Sequence, residues 1–118
     1  MATRELEVAV RRGGRVPVLE LAGDIDASAE RALQAAWDSV VTETEAVVLD
    51  FTRADYINST GIALIVQLLA NARARGVALA ARGLSPHYRE IFEITRLSDF
   101  MTILADGPVP AADNGGTR

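Results

Sequence analysis

The stretch AVVLDFTRADYINSTGIALIVQLLANARARG, residues 46–76, decides the fold of this chain. It begins with a nearly continuous apolar run over residues 46–51, which is typical of a strand covered on both faces of a sheet. It ends with a long apolar segment over residues 62–75, followed by the helix-stop signal Gly76. Because this segment is apolar almost all round, it predicts a helix packed against the sheet and its neighbours.

The residues before this stretch predict two strands and a helix. Apolar residues alternate over residues 6–10 and recur over residues 16–21, on either side of a two-glycine turn signal. This pattern is typical of a β-hairpin. Asp26 or Ser28 is expected to cap a helix that runs to about Val41, because its apolar residues recur at three- and four-residue spacing.

The residues after this stretch predict a strand, a helix and a last strand. The short apolar run over residues 77–81 is typical of a strand, and Ser85-Pro86 is a helix cap followed by proline in the first turn. Residues 100–104 are expected to form an edge strand. The order ββαβαβαβ predicts an α/β domain with a mixed, mostly parallel sheet of about five strands and helices packed on it.

Length and composition favour one domain. The chain has 118 residues, of which 49% are hydrophobic and 24% charged, as in an ordinary globular protein. From Gly107 onward the sequence consists mostly of Gly, Pro, Ala and Asn without periodic apolar residues. We therefore expect the domain to occupy residues 1–106 and residues 107–118 to form a flexible C-terminal tail.

Composition also argues against several classes of function. The chain has no cysteine and one histidine, His87, so thiolate and histidine-rich metal sites are excluded. It has no lysine and no P-loop, and we expect no metal, no cofactor and no enzymatic activity. The net charge is −4, the arginines form no run, and aromatic residues make up 5%. These features predict that the protein does not bind nucleic acid.

The apolar runs are far shorter than the roughly 20 residues that a membrane span needs. Acidic residues follow Met1 closely, where a signal peptide would have its apolar region. The sequence therefore predicts a cytoplasmic protein that does not insert into a membrane.

The residues Asn58-Ser59-Thr60-Gly61 lie between the buried strand and the long helix. The first turn of a helix has N–H groups without intrahelical partners, and the helix dipole adds partial positive charge there. The hydroxyl of Ser59 or Thr60 can therefore cap the helix, which is the common use of such residues. The same hydroxyl carrying a phosphate would be stabilised by the same donors. The residues alone leave both interpretations open.

Asp24 and Asp26 form a second candidate site at the end of the second strand. In an extended chain, residues spaced by two lie on one side. Paired carboxylates bind Mg²⁺ or act in acid–base chemistry. The structural alternative is that they close the strand and cap the next helix.

Several of these motifs, taken in order, resemble the STAS domain of bacterial anti-sigma factor antagonists. The resemblance covers about residues 5–105, nearly the whole domain. The segments that carry it are GDID (23–26), VVLDF (47–51), DYINSTGIALIV (55–66), LSP (84–86), IF (91–92), ITRL (94–97) and Phe100.

This resemblance implies a phosphorylation switch. In such families an anti-sigma factor, which is also a serine kinase with a histidine-kinase-like ATPase fold, binds the unphosphorylated antagonist and releases its sigma factor. The kinase phosphorylates a serine at the start of the second helix, and a PP2C-type phosphatase restores it. The matching residue here is Ser59, with Thr60 as the second choice. The implied partner-binding surface comprises Asp24, Asp26, Asn58, Ser59, Thr60 and Gly61.

One residue departs from the family's pattern. The family usually carries aspartate immediately before the phosphorylated serine, whereas this chain has Asn58. The departure favours an alternative function that needs no phosphate chemistry. STAS domains also serve as scaffold components of stress-signalling complexes and as small subunits of lipid-trafficking ABC transporters.

Overall fold

The computed structural model describes residues 4–104, so the tail predicted over residues 107–118 lies outside the described part of the chain. The predicted order ββαβαβαβ is confirmed. The elements are β1 (Glu7–Arg11), β2 (Val18–Ile25), α1 (Glu30–Val40), β3 (Ala46–Ile57), α2 (Ser59–Arg75), β4 (Ala78–Arg82), α3 (Pro86–Ile94) and β5 (Thr102–Ile103).

The five strands form one mixed sheet in the order β1-β2-β3-β4-β5. Strands β1 and β2 are antiparallel, which confirms the predicted hairpin, and all other neighbours are parallel. Strand β5 is at the edge, as predicted, but it contains two residues rather than the five expected. A short 3-10 helix, Leu97–Asp99, precedes it, and Phe100 is exposed instead of pairing in the sheet.

The two faces of the sheet differ in burial. Alternate strand residues such as Leu19, Val47 and Leu49 are fully buried in one core with apolar residues from all three helices. The opposite face, which includes Val48 and Ala80, is half-exposed. The expectation that β3 is covered on both faces was therefore wrong: the helices cover one face, as is common for sheets with an antiparallel edge.

Helix ends largely follow the sequence signals. Helix α2 ends at Gly76, whose φ of 71° is the left-handed conformation that favours glycine. Ser85 caps α3 by accepting a hydrogen bond from the N–H of Tyr88. A short 3-10 helix, Ala27–Ala29, precedes α1, and of the two predicted caps it is Asp26 that accepts from the N–H of Ser28.

Helix α2 is not buried all round as its composition suggested. Residues such as Ile65, Leu68 and Ala72 face the core, whereas Ala63, Val66 and Ala70 are exposed. Alanine and valine are compatible with either environment, so composition alone did not distinguish a buried face from an exposed apolar one.

Side chains join the helices inside the core. The indole Nε1 of Trp37 in α1 donates a hydrogen bond to Oδ1 of Asn71 in α2 at 2.7 Å. The Trp37 side chain is fully buried. Within residues 4–104, no helix is long and apolar enough to cross a membrane.

Candidate functional site

The two sequence motifs meet at one edge of the sheet. Strands β2 and β3 are parallel neighbours, and their last residues, Ile25 and Ile57, are partners in the register. The chain leaves β2 through Asp26 and leaves β3 through Asn58. The N–H of Asn58 donates to the carbonyl oxygen of Ile25 at 3.3 Å, which ties the two exits together.

Asn58 caps helix α2. Its Oδ1 accepts a hydrogen bond from the N–H of Gly61 at 2.8 Å, and its backbone carbonyl accepts from the N–H of Ile62 at 2.9 Å. Its backbone is extended, as expected of a residue just before a helix. The interpretation that Ser59 or Thr60 is the cap was therefore wrong: the helix begins earlier than the apolar run suggested, and the cap is the residue before both hydroxyls.

Ser59 and Thr60 occupy the first two positions of α2, and both are exposed. Within residues 4–104, neither hydroxyl makes a hydrogen bond, because the capping role is already filled. The Ser59 hydroxyl therefore faces solvent at the positive end of a 17-residue helix. A group attached there would meet no packed side chain that must move.

Gly61 lies beneath this surface. A Cβ at Gly61 would clash with the carbonyl oxygen of Ile25 and lie 2.8 Å from its carbonyl carbon. Any side chain would push the start of α2 away from the end of β2. Gly61 is buried, so its role in the site is to let the helix approach the strand closely.

Asp24 and Asp26 have separate local roles. Asp24 is 8% exposed, and its Oδ2 accepts from the N–H of Arg4 at 3.2 Å. Asp26 accepts from both the N–H and the hydroxyl of Ser28, at 2.9 and 2.6 Å. These contacts match the structural alternative, in which the residues close the strand and cap the next helix. Among residues 4–104, no group of three or more acidic or histidine side chains is arranged to hold a metal ion.

Tyr88 in α3 also supports this site. The hydroxyl of Tyr88 accepts a hydrogen bond from the N–H of Ile57 at 3.0 Å, at the last residue of β3. Tyr56, one residue earlier, is 55% exposed beside Asp55, which pairs with Arg4 at 3.3 Å. Nothing in the sequence near Tyr88 indicates this contact, because its partner is 31 residues away.

A partly shielded ion pair lies on the open face of the sheet, away from this site. Arg82 donates to Asp50 at 3.1 Å, and both the N–H and the hydroxyl of Thr52 donate to the same carboxylate. Burial alone would raise the pKa of Asp50, but the hydrogen bonds from Thr52 and Arg82 outweigh it and hold that pKa below its ordinary value. Asp50 is therefore a structural carboxylate.

Comparison with known families identifies the domain. A family model described as "Mlab, STAS domain" matches residues 8–105. The anti-sigma-B factor antagonist of Listeria monocytogenes is 36% identical over 84 residues, covering 70% of this chain and 74% of that protein. The chain therefore belongs to the STAS-domain family of anti-sigma factor antagonists.

Solved structures share the fold. An anti-sigma factor antagonist from Mycobacterium paratuberculosis superposes with a TM-score of 0.67 at 23% identity, covering 83% of this chain and 84% of that one. The Bacillus cell fate determinant SpoIIAA in its phosphorylated form gives a TM-score of 0.64 at 19% identity, covering 83% of this chain and 91% of that one.

Proposed function

We propose that this protein is an anti-sigma factor antagonist that acts by binding an anti-sigma factor and thereby releasing a sigma factor. The antagonist name of the Listeria relative supports this role, and such antagonists are regulators rather than enzymes. The partner is expected to be a serine kinase of histidine-kinase-like ATPase fold, with a PP2C-type phosphatase opposing it.

The switch in this proposal is phosphorylation of Ser59. The observation that carries it is that Asn58, not Ser59, caps α2, so the exposed Ser59 hydroxyl has no structural task. Thr60 is also exposed and stays the second choice. Asp24, Asp26, Asn58 and Gly61 belong to the proposed partner surface, although buried Asp24 and Gly61 would act mainly by shaping it.

A phosphate on Ser59 would add roughly −1.5 to −2 charges at neutral pH. The N-terminus of α2 tolerates this charge because its dipole and free N–H groups favour an anion. A partner packed on the same surface would have to bury that charge. The phosphate is therefore expected to release the partner while leaving the fold intact.

Asn58 is compatible with this switch. Asparagine and aspartate cap helices about equally well, so the departure from the family's aspartate leaves the geometry of the helix start in place. It removes one negative charge next to the phosphoacceptor. The expected effect is on the rate of phosphorylation rather than on the choice of residue.

The test uses the full chain with each anti-sigma factor kinase encoded in the same genome, in the presence of MgATP. Intact mass followed by fragmentation locates any phosphoryl group. We expect one group on the wild type and on Thr60→Ala, and none on Ser59→Ala. Ser28→Ala is the matched control, because Ser28 is an exposed hydroxyl at the start of the neighbouring helix but is bonded to Asp26.

Two results would contradict the switch. One is a phosphoryl group on Thr60 or Ser28 that persists in Ser59→Ala. The other is a complex that persists in the presence of MgATP with no residue phosphorylated, and this result would favour the scaffold or transporter-subunit alternative.

A further inference from the structure

The outward face of helix α2 is uncharged from Ser59 almost to its end. Ala63, Val66 and Ala70 are exposed and follow Ser59 at spacings of three and four residues, so all four side chains lie on one side of the helix. Solvent-facing sides of helices in soluble domains normally carry charged and polar residues. An apolar face that begins at the phosphoacceptor is therefore unlike an ordinary solvated surface.

This face ends in an apolar groove of about 310 Å³. The groove lies between α2 and the segment that follows α3, and its walls include Val66, Ala70, Leu97 and Phe100. Val66 is 44% exposed and Phe100 is 55% exposed. The groove therefore offers a recess into which an apolar side chain of a partner can pack.

Arg73 is the cationic residue that lines this groove. The guanidinium of Arg73 lies 5.2 Å from the centre of the Phe100 ring, on the same side of α2 as Ser59. The chain as a whole is acidic, with a net charge of −4, so a positive charge here is a local feature. It complements a carboxylate on whatever packs into the groove.

We propose that the anti-sigma factor that engages Ser59 also lays an amphipathic helix along this face of α2, with an aliphatic side chain in the groove and a carboxylate on Arg73. The inference rests on the proposed function. Continuity supports it: Ser59 and Arg73 are fourteen residues apart on one side of the helix, about 21 Å at 1.5 Å per residue. The short side chains of Ala63 and Ala70 allow close approach of a second helix.

In such an arrangement, the surface that holds the partner is separate from the residue that is phosphorylated. The groove contributes binding energy at a distance from Ser59, so the antagonist is held while its hydroxyl enters the kinase site. After phosphorylation, the charge acts at the opposite end of the same contact surface. The partner then loses its contacts at Ser59 before it loses those in the groove.

The test compares one substitution at two exposed alanines, Ala70→Glu on α2 and Ala35→Glu on α1. Glutamate favours helix, so both variants are expected to fold, and thermal unfolding checks this. Affinity is measured by titration calorimetry, without ATP, with each anti-sigma factor of the assay above that binds the wild type. We expect Ala70→Glu to weaken binding about tenfold or more, as loss of a central apolar contact does, and Ala35→Glu to bind like the wild type.

Phe100→Ala, which removes one wall of the groove, is expected to weaken binding in the same way without introducing a charge. Equal affinities for the wild type, Ala70→Glu and Phe100→Ala would overturn the inference. It would also be overturned if sedimentation showed that the wild type is a dimer that Ala70→Glu dissociates, because the face would then belong to a second copy.

Phosphorylation of Ser59 is followed in the same samples to separate the two proposals. Normal phosphorylation with unchanged binding by Ala70→Glu contradicts the docking face and leaves the switch supported. Weakened binding by Ala70→Glu without phosphate on the wild type contradicts the switch and leaves the docking face supported. A wild type that binds no anti-sigma factor contradicts both.

Discussion

Helices α1 and α2 follow neighbouring parallel strands and start at the same edge of the sheet, yet their first turns use their polar residues differently. In the turn that leads into α1, Asp26 caps the 3-10 helix Ala27–Ala29, and the Ser28 hydroxyl is bonded to it. At the start of α2, Asn58 is the cap and the Ser59 hydroxyl is left free. One start is closed by its own side chains, whereas the other presents an unused nucleophile to solvent.

The outer faces of the two helices differ in the same sense. Exposed residues of α1 include Glu30, Arg31, Gln34 and Asp38, as on an ordinary solvated helix. The exposed side of α2 between Ser59 and Arg73 has no charge. Capping and solvation account for the polar groups of α1, whereas they leave the Ser59 hydroxyl and the uncharged side of α2 unexplained. This difference is why we place the proposed site on α2.

The largest loss of stability is expected from a substitution that separates α2 from the end of β2. Gly61→Ala places a Cβ against the carbonyl of Ile25, and we expect a loss of about 3 kcal/mol or more in the free energy of unfolding. Urea denaturation measures it. Gly76→Ala is the control: it also changes a glycine of α2 but meets no atom within 4 Å, so only its left-handed φ costs about 1 kcal/mol. Equal losses would show that Gly61 is not a close-approach position.

The ion pair of Asp50 lies away from both helix starts, so a substitution there shows how much stability a contact unrelated to the site contributes. Because its pKa is lower in the folded chain, its carboxylate contributes stability above its ordinary pKa that is lost as the pH falls through the lowered value. We expect Asp50→Asn to cost about 1–3 kcal/mol at neutral pH and less in acid. Denaturant unfolding at several pH values measures this. A cost for Asp50→Asn that stays constant down to strongly acidic pH would contradict the assignment.

Removing each cap compares the two helix starts directly. Asp26→Ala removes the cap of the 3-10 helix before α1, and Asn58→Ala removes the cap of α2. Each should lower the free energy of unfolding by about 1 kcal/mol, because each leaves a backbone N–H unpaired. Ser59→Ala, by contrast, should leave stability within about 0.5 kcal/mol of the wild type. Thermal unfolding of the three variants measures these effects. A loss for Ser59→Ala as large as that for Asn58→Ala would mean that the serine has a capping role after all.

The smallest effect on stability is expected from a charge at Ser59, and it tests the role of the uncharged cap Asn58. Ser59→Asp alone should change the free energy of unfolding by less than about 1 kcal/mol, since the helix dipole favours a charge there. In the Asn58→Asp background the same substitution should be less favourable by a few tenths of a kcal/mol, because two like charges become adjacent. A double-mutant cycle by denaturant unfolding measures the coupling, and unfolding of Ser59→Asp on its own would contradict a phosphate-tolerant site.

Sequence periodicity predicted the element order, because the apolar pattern, Gly76 and Ser85-Pro86 each determine a local boundary. It did not predict which of three consecutive polar residues caps α2. Asn58, Ser59 and Thr60 are all adequate caps. Which of them caps α2 depends on how Gly61 in the helix packs against Ile25 at the end of β2.

Long-range contacts account for the other differences between the predictions from sequence and the structure. Strand β3 was predicted to end at residue 51 but continues to Ile57, because β2 pairs with it over these polar residues. The Tyr88 contact to the end of β3 joins residues that the sequence separates widely. The exposed apolar face of α2 and the groove beside it likewise require the tertiary structure.

The buried hydrogen bond between Trp37 and Asn71 gives this chain an optical reporter of its own integrity. Trp37 is the sole tryptophan, and it lies in the core where α1 contacts α2. Its emission should shift to longer wavelength only when α1 separates from α2 and water reaches the indole. Fluorescence can therefore distinguish a variant that has lost its partner from one that has lost its fold, without any label.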